Sequence, residues 1–109
     1  MPSLFDPIQL GPITCKNRIW MAPLTRGRAT RDHVPTQIMA EYYAQRASAG
    51  LIITEATGIS VEGSGWPYAG GIWGKEHTQH WRTITDAERT RFPRRLFTAI
   101  HLRFIRSAL

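Results

Sequence analysis

Cysteine is almost absent: Cys15 stands alone among 109 residues. No disulfide can form within the chain, and the expectation is a reducing, cytoplasmic setting. Long apolar runs are missing too, none approaching the roughly 20 residues of a membrane helix. Residues 1–7 have neither the basic start nor the apolar stretch of a secretory signal, so no leader is expected. Acidic residues are scarce at one end only. Residues 1–87 carry eight Lys/Arg against seven Asp/Glu, whereas residues 88–109 carry six Arg against Glu88 alone. The net charge of +6 therefore belongs mostly to a tail, and nucleic acid is not the favoured partner of the whole. Metal chemistry lacks its ligands, because His77 and His80 have no third or fourth partner at a sensible spacing. Glu55 and Glu62 likewise lack a partner carboxylate placed for acid–base work. The two histidines fit a solvated helix face, and Tyr42 and Tyr43 fit a core.

What is present is a soluble composition, 42% apolar and 20% charged, arranged as alternating strand and helix signals. Ile8, Leu10 and Ile13 around Gly11-Pro12 predict a short hairpin. Residues 17–22 form an apolar run closed by Pro23, which predicts a strand buried on both faces. Residues 23–34 predict a loop. Residues 35–49 predict a helix with Pro35 at its first position, Gly50 as its cap, and a stripe of Ile38, Met39, Tyr42, Arg46 and Ala49. Residues 51–56 predict a second buried strand. Strand, loop, helix and strand make a βαβ unit, whose strands are parallel and whose crossover is right-handed. A long aromatic loop over 57–74 follows, then a helix over 75–87 with Trp81 and Ile84 on one face. Parallel strands need cover on both faces and partners at both edges. Two strands with two helices look cut from a larger α/β fold.

The string Asn17-Arg18-Ile19-Trp20-Met21-Ala22-Pro23-Leu24-Thr25-Arg26 resembles the first barrel strand of the old yellow enzyme family of NADH:flavin oxidoreductases. Tyr42-Tyr43-Ala44-Gln45-Arg46-Ala47, Leu51-Ile52-Ile53-Thr54-Glu55-Ala56-Thr57 and the loop from Gly65 to Trp73 continue the resemblance in order. It covers residues 3–87. The resemblance implies an α/β fold, the N-terminal fragment of a TIM (β/α)8 barrel, with ligand contacts beyond the C-terminal strand ends. It implies FMN as cofactor and NADPH or NADH as reductant. The substrate would be a small activated alkene such as an enone, reduced at its C=C bond. It places the backbone of Pro23 and Leu24 against the flavin, the Thr25 hydroxyl on the isoalloxazine O4, Ala56 near the ring and Tyr68 in the substrate pocket. The family's His/Asn donors, its proton-donating Tyr and its phosphate-binding loops lie on later strands. No catalytic residue is therefore expected here, and residues 1–109 alone are expected to be inactive.

Two motifs are set aside. Gly63-Ser64-Gly65-Trp66-Pro67-Tyr68 has Tyr68 at the third glycine position and starts well past a strand end, so it is no dinucleotide fingerprint. Residues 88–109 depart from the family pattern, and Pro93 interrupts any helix. A translated wrong reading frame accounts for this abrupt change. The competing account is a small basic protein binding RNA or anionic lipid through that tail.

Overall fold

The computed structural model describes residues 1–91 and 98–99. Strands β1 (Ile8–Leu10) and β2 (Ile13–Cys15) form the expected antiparallel hairpin, Ile8 opposite Cys15. Gly11 turns it with φ +56°, a conformation that side-chain-bearing residues rarely adopt. Strand β3 (Trp20–Met21) then pairs in parallel with β4 (Leu51–Ile53), Trp20 opposite Leu51. Helix α1 (Gln37–Gln45) joins them, so the βαβ unit is present. A further short strand, β5 (Thr98–Ala99), runs parallel to β4 and gives the order β3-β4-β5. The described residues form an open α/β arrangement and close no barrel. Pro93, singled out above, lies outside the described residues.

The core lies where α1 and α2 (Lys75–Arg91) pack on each other and on β4. Met39, Ala40, Tyr43, Ile52, Trp81 and Ile84 form one buried cluster with Ala29. Ile52 and Met39 are fully buried, each stabilising the fold by about 1.5–3 kcal/mol. The Trp81 indole N–H donates to the Gly71 carbonyl at 2.9 Å, which satisfies the one polar atom of that large buried ring.

Several expectations need correction. The first strand was expected to span the 17–22 run and to be buried on both faces. It is two residues long, and Trp20 and Ile19 are exposed. Among the described residues β3 is an edge strand with a ladder partner on one side only, and Ile19 and Trp20 stay 43% and 40% exposed. Pro35 is not the first helical residue. Thr36 is the N-cap, and its hydroxyl donates to the Arg28 carbonyl at 2.7 Å. The buried face of α1 is Met39, Ala40, Tyr43 and, just past its end, Ala47; Ile38 is 57% exposed. Packing against both α2 and the sheet turns the helix by one residue from the stripe read in the sequence. Gly50 does not cap α1, which ends at Gln45 with Arg46 as its cap. Glycine is required at position 50 for close approach, because an added Cβ would collide with the backbone of Asn17. Finally, α2 runs four residues past the expected 87.

Candidate functional site

Parallel strands deliver their C-terminal ends to one side of a sheet, and here the chain leaves β3 and β4 through residues 22–28 and 54–57. The first segment has no regular secondary structure and is exposed from Ala22 to Thr25. The second is buried at Thr54, Glu55 and Thr57, with Ala56 half-buried. Thr25 and Ala56 line one cavity of about 30 Å³, whose other walls include Gly63, Ser64, Gly65 and Trp66. A space of that size admits water and excludes any ring system. The Thr25 hydroxyl has no hydrogen-bond partner among the described residues. Pro23 and Leu24 are exposed beside it, Leu24 at 54%.

Tyr68 stands elsewhere. It does not line this cavity, it is exposed, and its φ is +60°. Its carbonyl accepts the Ala29 amide at 3.0 Å. Gly58 N–H to Gly70 O, Gly71 N–H to His33 O and Ile72 N–H to Gly58 O, at 2.7–2.9 Å, fix the rest of the loop. His33 also has a left-handed backbone, φ +64°. Its Nδ1–H donates to the Ala69 carbonyl at 2.7 Å, and the Ser64 hydroxyl lies 3.2 Å from its Nε2. Sequence reasoning missed this anchor, since a lone histidine in a polar loop carries no signal.

The residues flanking Thr25 and Ala56 form a buried polar group that spacing had hidden. Arg26 Nη2 lies 3.7 Å from Glu55 Oε2, and the Glu55 side chain is 1% exposed. The Glu55 amide donates to the Tyr43 hydroxyl at 3.1 Å. The Arg26 guanidinium lies on the Tyr42 ring, 3.3 Å from its centroid, and Arg46 lies 3.5 Å from the same ring. Burial pushes the Glu55 carboxyl above its ordinary value, against the opposing pull of the Arg26 charge and a hydrogen bond from the Arg26 backbone. Burial, reinforced by the neighbouring Glu55 charge, likewise raises Tyr43 to about 12. Glu55 thus has a partner after all, a cation on the adjacent strand end and not a second carboxylate. The opposite charges at the ends of two strands read as parallel neighbours were the available clue.

His77 is buried, contrary to the solvated face expected of it. Its Nδ1 accepts the Gly74 amide at 3.1 Å and its Nε2–H donates to the Asp32 carbonyl at 3.0 Å. His80 donates to the Pro35 carbonyl at 3.0 Å. Both histidines tie α2 to the 31–35 loop. Among the described residues no cluster of three or more His, Cys, Asp or Glu could hold a metal ion.

The model of the NADH:flavin oxidoreductase / NADH oxidase family matches residues 3–91, and the chain belongs to that family. It is 51% identical over 89 residues to the NADP-dependent oxidoreductase lnbE of Aspergillus flavus, covering 80% of this chain and 24% of that protein. It is 50% identical over 84 residues to the "Probable flavin mononucleotide-dependent alkene reductase" of Leishmania infantum, covering 77% and 23%. The solved old yellow enzyme homologue from Zymomonas mobilis superposes with a TM-score of 0.83 at 68% identity, over 91% of this chain and 28% of that one. The chain thus spans about a quarter of the length of these relatives.

Proposed function

We propose that this chain supplies the flavin-facing rim of an FMN-dependent NAD(P)H oxidoreductase that reduces the C=C bond of small activated alkenes such as enones. In this reading, β3, α1, β4 and α2 are the first two βα units of a (β/α)8 barrel. Residues 1–87 are its part of the barrel, residues 88–109 are a divergent tail, and the protein works in the cytoplasm. The observation that carries the proposal is the meeting of Thr25 and Ala56 in one cavity at the C-terminal ends of two adjacent parallel strands. Their family membership and the flavin and alkene-reductase names of the relatives support it.

The residues fit the cofactor in three respects. The cavity is too small for an isoalloxazine, so the ring would lie on the exposed surface of residues 22–25, where Pro23 and Leu24 offer an apolar bed. The unpartnered Thr25 hydroxyl can donate to the ring carbonyl O4, which biases the ring's reduction potential. The small Ala56 leaves room for close approach. When bound, FMN supplies two-electron chemistry, taking hydride from a nicotinamide and giving it to the alkene β-carbon. Tyr68 on the rim is the proposed substrate contact.

These contacts grip a ring and not a phosphate, whose cradle the family resemblance puts on later strands. Residues 1–109 alone are therefore expected to touch flavin weakly and to leave enones unreduced. Titration of the isotopically labelled chain with lumiflavin, which has no phosphate, checks the ring contact. Amide shifts confined to residues near Leu24, Thr25 and Ala56 are expected. Unmoved amides there overturn the contact, and a stoichiometric flavin band in the purified chain overturns the weak binding.

A further inference from the structure

Two adjacent residues of α1 each hold one member of a buried charge pair, and each member adjoins one of the proposed ring contacts. Tyr42 carries the Arg26 guanidinium on its face, while the Tyr43 hydroxyl accepts the Glu55 amide. Arg26 follows Thr25 in the chain and Glu55 precedes Ala56. The segment from Ala22 to Thr25 has no regular structure of its own, so its course depends on what grips Arg26.

As a device for stability this pair is poor. At 3.7 Å it is longer than the 2.7–2.9 Å of a charge-assisted hydrogen bond. Arg26 Nε and Nη2 and Glu55 Oε2 are buried without hydrogen-bond partners. An apolar pair of similar volume would serve the core as well or better. The arrangement does, however, span the gap between two strand ends at the height of Thr25 and Ala56, and it ties both ends to one rigid helix. We propose that Arg26 and Glu55 are positioning residues, which set the spacing of Thr25 and Ala56 against the flavin ring through Tyr42 and Tyr43. This inference rests on the FMN reading for its purpose, and on the geometry alone for its mechanics.

The test uses the full chain with Cys15 replaced by Ala and nitroxide labels at T25C and at Q45C, the last residue of α1. Pulsed dipolar spectroscopy reads the distance distribution, and a second label pair at T78C and Q45C reports whether α1 and α2 stay packed. The parent is expected to show one narrow distance for each pair. E55Q, and R26K, which keeps the charge but loses the flat face, are expected to broaden the 25–45 distribution at least twofold and leave 78–45 unchanged. In unlabelled protein the same substitutions are expected to weaken lumiflavin shifts at Thr25 and Ala56 about tenfold. An unchanged 25–45 width overturns the proposal, and so does broadening of both pairs, which marks a general role in folding. If lumiflavin moves nothing in the parent, the flavin reading falls while the distance measurement still decides the role of the pair.

Discussion

The Gly50 amide donates to the Ile19 carbonyl at 2.8 Å, and this bond draws the entry to β4 against the backbone of Asn17. The Asn17 side chain reinforces the junction by donating to the Ser48 carbonyl at 2.9 Å. There is no space for a side chain at position 50. Gly50→Ala is therefore expected to destabilise the chain by about 1–3 kcal/mol, the usual cost of overpacking. Urea unfolding followed by tryptophan fluorescence measures it, and an unchanged midpoint contradicts the close approach.

Trp81 joins α2 to the loop before it through one hydrogen bond inside the core. Trp81→Phe keeps an aromatic ring but strands the Gly71 carbonyl, a loss of about 1–3 kcal/mol. Trp81→Ala adds a cavity and is expected to cost about 3–5 kcal/mol. Equal stability of the Phe variant and the parent would mean that the indole N–H contributes nothing.

Glu55 makes stability depend on pH in the opposite sense to an ordinary paired carboxylate. Its folded-state value lies above the ordinary 4.5 because burial outweighs Arg26. Between those two values the folded chain binds more protons than the unfolded one, so its contribution is complete below 4.5 and is lost as pH rises through the raised value. Thermal melts from pH 4.5 upward are expected to show this decline in the parent and a flatter profile in E55Q. A parent that becomes more stable over that range, relative to E55Q, reverses the assignment.

The open edge of β3 sets the behaviour of residues 1–109 in solution. Trp20 on that strand and Ile19 just before it are 40% and 43% exposed, with Leu4 and Phe5 exposed as well. Unpaired apolar edges associate, and a charge blunts them. Concentration-dependent association is expected by analytical ultracentrifugation, weakened by Ile19→Lys. Association that this substitution leaves untouched proceeds through another surface.

Much of this architecture is legible in the sequence. The Gly11-Pro12 turn, the Pro23 stop and the apolar periods located hairpin, strands and helices, and motif order pointed to the family. Placement within elements was not legible. Ile38 and Met39 are both apolar, and only the joint packing of α2 and β4 on α1 decides that Met39 turns inward. Gly50 looked like a cap because its role depends on Asn17, thirty-three positions earlier. The candidate site divided the same way. Thr25 and Ala56 were reached through their motifs, whereas the Arg26–Glu55 pair exists only once two strands lie side by side. Tyr68 too was reached through its motif, whereas its left-handed backbone, φ +60°, is a conformation that spacing does not encode.

The loop over residues 58–72 has its path fixed by amides meeting carbonyls at Tyr68, Gly70, Gly71 and Ile72, while the side chains of Val61 and Tyr68 are exposed. Exchange of those exposed groups alters the shape and polarity of the surface without rerouting the main chain. On the proposed reading, the chemistry presented at the rim can therefore change at such exposed positions while the hydrogen-bonded main chain beneath keeps its course.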